Sequence, residues 1–158
     1  MFRQKTLLLF GLTLFLLSSC AAKYTTHGKS TIPSAQADQL RQAAEQWIGT
    51  PYRYGGNSHQ GIDCSGLACQ LYQQVFDYKL PRQANAQRNL GYSVHYPYLK
   101  SGDLIFFRFA GDERIEHVGL YLGDKQFIHA STTRGVVIDR LDDPYYQKHI
   151  VVIKRILR

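Results

Sequence analysis

The chain has 158 residues, 44% of them hydrophobic, which suits one compact domain and is too short for two comfortable cores. Nineteen Lys and Arg residues against twelve Asp and Glu give a formal net charge of +7, which suits an anionic partner surface. We expect no nucleic-acid partner, because the sequence has neither a basic run nor alternating aromatic and basic residues.

Residues 1–19 have the layout of a secretory signal peptide. A short basic start, MFRQK, precedes an apolar run that ends in small residues and is too short to span a bilayer comfortably. The ending LSSC resembles the bacterial lipobox, in which the cysteine is diacylated and becomes the first residue of the mature protein. By that resemblance Cys20 carries lipid and anchors the remaining chain to a membrane. Ala21 stands where lipoproteins of the inner membrane have Asp, which implies the outer membrane, with the domain facing the periplasm.

Residues 20–33 are predicted to be a lipidated, flexible tether, because this polar segment contains Gly and Pro and lacks hydrophobic periodicity. The folded domain is predicted to span residues 34–158. Ser34 is expected to cap its first helix, and Gly49 and Pro51 to end it. The apolar residues of this helix fall at helical spacing: Leu40, Ala43, Ala44, Trp47 and Ile48.

A glycine-rich loop, GTPYRYGGNSHQGI, leads to a second predicted helix. Asp63 is a good N-cap, which places Cys64 in the first turn. The apolar face of this helix contains Cys64, Leu67, Ala68, Leu71, Tyr72 and Val75. A third, short helix is predicted in LPRQANAQRNLG, where Gly91 ends it.

Five strands are predicted after residue 102. Short segments rich in branched and aromatic residues are separated by turn-like GD, TTRG and DDP: DLIFFRF, HVGLYLG, QFIHAS, GVVID and IVVIKRI. Helices followed by strands indicate an α+β fold, with N-terminal helices packed on a C-terminal antiparallel sheet.

Two histidines can be placed relative to each other by the alternation of side chains along neighbouring strands. The alternating apolar residues of HVGLYLG and those of QFIHAS lie on the same face of the sheet only if an odd number of residues connects the two strands. That same parity places His117 and His129 together on the opposite face. An even loop would separate them.

Cys64 is compatible with several roles. A disulfide with Cys69 is disfavoured, because residues five apart on a helix point about 140° away from each other. A metal site is also disfavoured, because the sequence has no CxxC or HxxxH spacing. By position alone, core packing and nucleophilic catalysis remain equally good interpretations of Cys64, whereas Cys69 lacks partners and is assigned to packing.

The joint pattern of one cysteine and two histidines favours catalysis. A helix N-terminus and an adjacent imidazolium both favour thiolate over thiol, so Cys64 suits a nucleophile. His117 would take the thiol proton and later deliver it to the leaving amine, while His129 would orient the His117 ring. Backbone N–H groups after Asp63 could face a developing oxyanion.

The segments YRYGG and DCSGL, followed by HVGLYLG and FIHAS, resemble the NlpC-type, papain-like cysteine peptidases of the cell wall. The resemblance extends from about Trp47 to the C-terminus. It implies a papain-like fold in which Cys64 is the nucleophile, His117 the general base and His129 the third, orienting residue. It also implies an enzyme that needs no metal or organic cofactor and that acts on peptidoglycan peptides.

Further site residues follow from the same resemblance. Tyr52 matches the position whose hydroxyl lies near the nucleophile and assists the oxyanion, and Tyr54 matches a structural tyrosine. Asp63 and Ser65 flank the nucleophile as helix cap and substrate contact. Arg82 also fits the pattern, with a solvated arginine at a helix start as an equally good interpretation.

The small lipoproteins of this family are associated with cutting the cross-link between D-Ala and diaminopimelate, which is the bond we expect here. Cleavage between γ-D-Glu and diaminopimelate is the alternative. The sequence is also compatible with a non-catalytic, wall-binding lipoprotein on the same fold and with a papain-like amidase or acyltransferase. It identifies no protein partner.

Overall fold

The computed structural model of the protein describes residues 33–109 and 117–157. The predicted signal peptide and nearly all of the tether, including Cys20, lie outside the described residues. Within the described ranges, no helix is long and apolar enough to cross a membrane.

The two long helices lie in the N-terminal half, as predicted. Helix α1 spans Ser34–Glu45 and α2 spans Cys64–Phe76; two short helices follow, α3 at Ala84–Arg88 and α4 at Pro144–Gln147. The expected cap of α1 is wrong by one residue: Ser34 is the first helical residue and Pro33 precedes the helix. The reason is that Pro33 is extended, and its carbonyl oxygen accepts the first hydrogen bonds from the amides of Gln36 and Ala37.

A two-stranded hairpin, β1 (Asn57–Ser58) and β2 (Gly61–Ile62), lies in the loop before α2. The further strands are β3 at Tyr92–Val94, β4 at Leu104–Phe107, β5 at His117–Gly123, β6 at Gln126–Ser131, β7 at Gly135–Arg140 and β8 at Ile150–Arg155. Within the described residues these six strands form the main antiparallel sheet, in the order β3-β8-β4-β5-β6-β7. Neither the hairpin, nor β3, nor α4 was predicted.

The register of β5 and β6 confirms the predicted parity. Leu120 pairs with Ile128, and both are buried. The connection is a two-residue turn, Asp124–Lys125, with positive φ at both residues, and the register shifts between Tyr121 and Gly123. One extra residue in β5 and the two-residue turn together make the number of connecting residues odd, which places His117 and His129 on the same face.

The two faces of the sheet bury different clusters. Helices α1 and α2 pack against β5, and α2 also contacts β6, over a core that includes Leu40, Leu71, Leu120 and Ile128. The opposite face carries a second cluster: Ile105, Phe107, Phe127, Leu141, Tyr146 and Ile153. This arrangement confirms the α+β class, with N-terminal helices packed on a C-terminal antiparallel sheet.

Candidate active site

Cys64 is the first residue of α2, and its side chain is buried in the helix–sheet core at 8% exposure. The predicted cap is confirmed, because the Asp63 carboxylate accepts a hydrogen bond from the Gly66 amide at 2.7 Å. Burial raises the pKa of the Cys64 thiol. The backbone N–H of Val118 and the amides of the first helical turn favour the thiolate and lower this pKa, but burial has the larger effect. The resting residue is therefore a neutral thiol, which differs from the thiolate that the helix terminus alone would favour.

His117 and His129 meet on the face of the sheet opposite α1 and α2. The distance from His117 Nε2 to His129 Nδ1 is 2.7 Å, and the two rings are perpendicular. Both side chains are buried, at 7% and 4% exposure. Burial, and secondarily the neighbouring His129, lower the pKa of His117 to about 3, so its imidazole is neutral at physiological pH.

The start of β5 joins the cysteine to the histidine pair. Val118, whose backbone N–H favours the Cys64 thiolate, directly follows His117 in this strand. His117 uses Nε2 for its contact with His129, which leaves Nδ1 as the ring nitrogen available to accept a proton. The neutral thiol and the neutral imidazole are thus placed at the same end of the sheet.

A carboxylate that sequence reasoning missed lies behind the histidine pair. His129 Nε2 is 2.9 Å from Asp139 Oδ2, and Asp139 in turn accepts hydrogen bonds from Arg134 and from the Tyr146 hydroxyl. A signal for it was present: extending the side-chain alternation to GVVID would have placed Asp139 on the histidine face. His129 pairs with Val137, so Asp139 is its diagonal neighbour across the strands.

Asp63, Ser65 and Arg82 form one hydrogen-bonded cluster behind the N-terminus of α2. Arg82 donates to both Asp63 oxygens, at 2.6 and 2.9 Å, and to the Gly56 carbonyl oxygen at 2.6 Å. Hydrogen bonds from Arg82 and from the Gly66 and Gly55 amides hold the pKa of Asp63 below its ordinary value despite burial. The interpretation of Arg82 as a merely solvated arginine is therefore wrong.

The same cluster engages the predicted substrate contact. The buried Ser65 hydroxyl is 2.7 Å from the Arg82 carbonyl oxygen and 3.0 Å from Asp63 Oδ1. These bonds fix the loop that precedes Cys64 against the segment that carries Arg82. Contact of Ser65 with substrate stays a prediction.

The two tyrosines of the glycine-rich loop differ in their surroundings. Tyr52 is half-buried, and burial followed by the nearby Cys64 and Asp63 raises its pKa, so its hydroxyl stays protonated close to the thiol. Tyr54 is 90% exposed, which contradicts its predicted structural role, because an exposed ring packs against little.

Cys69 lies on a different side of α2 from Cys64, and both are free thiols. It is half-buried against the segment that precedes α3, where the carbonyl oxygens of Leu80 and Pro81 lie 3.6 and 3.5 Å from its sulfur. The amide Nε2 of Gln87, in α3, lies 3.5 Å from the same sulfur. Over residues 33–109 and 117–157, no group of three or more His, Cys, Asp or Glu side chains could hold a metal ion.

The chain matches the model of the NlpC/P60 family over residues 49–155. It is 37% identical to the probable endopeptidase NlpC of Escherichia coli K12, an alignment that covers 92% of this chain and 96% of the relative. It is 41% identical to the murein DD-endopeptidase MepS/murein LD-carboxypeptidase of the same strain, over 70% of this chain and 58% of the relative. A crystal structure of an NlpC/P60 family protein from Bacillus cereus superposes with a TM-score of 0.71 at 34% identity, covering 77% of this chain and 40% of the other.

Proposed function

The chain belongs to the NlpC/P60 family, and from that membership and the geometry of the site we propose that it cleaves peptide bonds of the cell wall with Cys64 as nucleophile. The family membership confirms the resemblance found in the sequence, and the chain is a peptidase. The observation that carries the proposal is the placement of Cys64 at a capped helix N-terminus beside the strand whose first residue is His117.

Proton transfer from Cys64 to His117 Nδ1 starts the proposed reaction. The thiolate sulfur bonds to the peptide carbonyl carbon and gives a tetrahedral oxyanion, which backbone N–H groups of the first turn of α2 stabilise, assisted by the Tyr52 hydroxyl. The C–N bond then breaks, and the leaving amine takes the proton from His117. Water, deprotonated by His117, hydrolyses the thioester and restores the thiol.

His129 acts in this scheme by holding His117. The 2.7 Å contact fixes the orientation of the His117 ring and stabilises the imidazolium that forms during proton transfer. Cys64 supplies the nucleophile, His117 the base, and Tyr52 with the amides of α2 the oxyanion donors, so the chemistry requires no metal or organic cofactor.

The substrate we favour is the cross-link between D-Ala and diaminopimelate in peptidoglycan. The support is the similarity to the relative named murein DD-endopeptidase MepS, of which this chain covers 58%. Cleavage between γ-D-Glu and diaminopimelate is the alternative that the same site could perform. A wall-binding protein without activity is disfavoured, because Cys64, His117 and His129 are all present.

We also propose that the domain is tethered to the outer membrane through a lipidated Cys20 and faces the periplasm. The support is the lipobox-like LSSC and Ala21 after it. The expected result of metabolic labelling with palmitate is incorporation into the full chain and none into Cys20→Ala. Incorporation that persists in Cys20→Ala would contradict the anchor.

Mass spectrometry of purified, cross-linked muropeptides tests the activity. The full chain in detergent is incubated with muropeptide dimers, and Cys64→Ala serves as the control for contaminating hydrolases. We expect dimers to become intact monomers with the wild type only. Shortened stem peptides would move the cut to the γ-D-Glu bond, and unchanged dimers in both samples would favour a non-catalytic, wall-binding protein.

A further inference from the structure

We propose that Asp139 is a positioning residue that fixes the tautomers of His129 and His117, so that His117 presents a proton-free Nδ1 to Cys64. This inference rests on the proposed function of Cys64 and His117. It concerns a residue two strands away from His117, which acts only through His129.

The proton positions follow from the donors and acceptors in the chain of contacts. An ionised carboxylate only accepts hydrogen bonds, so the His129 nitrogen 2.9 Å from Asp139, Nε2, must carry a proton. In a neutral imidazole the other nitrogen is then an acceptor, so His129 Nδ1 accepts from His117 Nε2. With its proton on Nε2, neutral His117 has a free lone pair on Nδ1.

The opposite tautomers would disable the base. If His129 carried its proton on Nδ1, that proton would occupy the 2.7 Å contact with His117 Nε2. Neutral His117 would then have to carry its own proton on Nδ1 and could not accept one from the Cys64 thiol. The Asp139 carboxylate, 2.9 Å from His129 Nε2, distinguishes the two arrangements because it can only accept from that nitrogen.

The surroundings of Asp139 keep it ionised. Arg134 donates to Oδ1 at 3.1 Å and to Oδ2 at 2.5 Å, and the Tyr146 hydroxyl donates to Oδ2. The hydrogen bonds from His129, Arg134 and Tyr146 together hold the pKa of Asp139 well below its ordinary range, although burial opposes them. The carboxylate is 17% exposed, so solvent weakens these bonds little.

A structural ion pair would have a different pattern of contacts. Asp142, two residues after the end of β7, pairs with Arg140 at 2.7 Å and with Lys125 at 3.4 Å on the surface. Asp139 instead places the same oxygen, Oδ2, against the buried ring of His129 as well as against its arginine. Asp142→Asn is therefore a matched control that removes a paired carboxylate without touching the histidines.

The direct test is the tautomeric state of the two rings, read by ¹⁵N NMR of histidine-labelled full chain at neutral pH. In the wild type and in Asp142→Asn, we expect Nε2 to be protonated and Nδ1 to be free in both His117 and His129. In Asp139→Asn we expect protonated Nδ1 to appear in both rings. Unchanged tautomers in a folded Asp139→Asn protein would overturn the proposal, and this readout needs no substrate.

Turnover provides the second readout. We expect Asp139→Asn to lower kcat on muropeptide dimers by about 10²-fold with little change in KM, because only the proton-accepting form of His117 is depleted. In a His129→Ala background the same substitution is expected to have no further effect, since the two residues act as one unit. An equal loss in both backgrounds would show that Asp139 does not act through His129.

Asp139→Ser covers the case in which Asp139→Asn does not fold. The shorter side chain removes the carboxylate from His129 Nε2 and leaves Arg134 in the exposed turn before β7. We expect protonated Nδ1 to appear in both rings and kcat to fall as in Asp139→Asn. Wild-type tautomers together with wild-type kcat in this variant would overturn the proposal.

Discussion

Acidification is expected to destabilise the protein through His117, because this side chain is buried as a neutral imidazole. Its pKa is about 3 in the folded state, against an ordinary value of 6.5. Between these values the unfolded chain binds a proton that the folded chain does not, so the stabilisation is fully present above pH 6.5 and is lost as the pH falls. From pH 6.5 to about pH 4.5, this linkage lowers the free energy of unfolding by about 2 kcal/mol.

Urea unfolding followed by far-UV circular dichroism over this pH range measures the effect. Wild type is expected to lose about 2 kcal/mol more than His117→Gln, whose side chain does not titrate. The exposed His95 provides the matched control, His95→Gln, which should behave as wild type. Carboxylates with depressed pKa values contribute only below about pH 5 and are present in both proteins, so the difference between wild type and His117→Gln reports His117. Parallel losses in wild type and His117→Gln would refute a buried, neutral His117.

Three further predictions concern the surroundings of the thiol. Arg82→Met is expected to lower the free energy of unfolding by about 2–3 kcal/mol in urea titrations, because the buried Asp63 carboxylate loses its cation. An unchanged free energy of unfolding would contradict the pairing. In a Cys69→Ala chain, the rate of Cys64 alkylation by iodoacetamide is expected to keep rising above pH 9, because burial raises the pKa of the Cys64 thiol. A rate that reaches a plateau near neutral pH would indicate a resting thiolate. Gly66→Ala places a Cβ 2.6 Å from a backbone carbonyl oxygen. We therefore expect the free energy of unfolding, measured by heat or urea, to fall by about 1–3 kcal/mol. Wild-type stability would contradict this close packing.

The local features of the site could be predicted from the sequence. Asp63 caps α2 because a short carboxylate before an apolar helical run can reach the first free amides. His117 and His129 meet because only one strand parity buries the apolar residues of β5 and β6 together. Both features depend on short-range periodicity, which a single sequence displays directly.

The features that depend on packing beyond one pair of strands escaped prediction. Asp139 became a neighbour of His129 only through the pairing of β6 with β7, and Tyr146 reaches it from a four-residue helix with no hydrophobic pattern of its own. Burial also reversed the expected charge state of Cys64, because the degree of desolvation cannot be derived from the position of a residue at a helix start. The roles of Arg82 and Tyr54 likewise depend on where their loops pack.

A comparison of Cys64 with Cys69 tests whether Cys64 is the nucleophile. The rate of cleavage of cross-linked muropeptides is measured for the full-length wild type, Cys64→Ala and Cys69→Ala, with far-UV circular dichroism confirming that each is folded. We expect no turnover by Cys64→Ala and a wild-type rate for Cys69→Ala. Cleavage by a folded Cys64→Ala protein would contradict the assignment of Cys64 as the nucleophile.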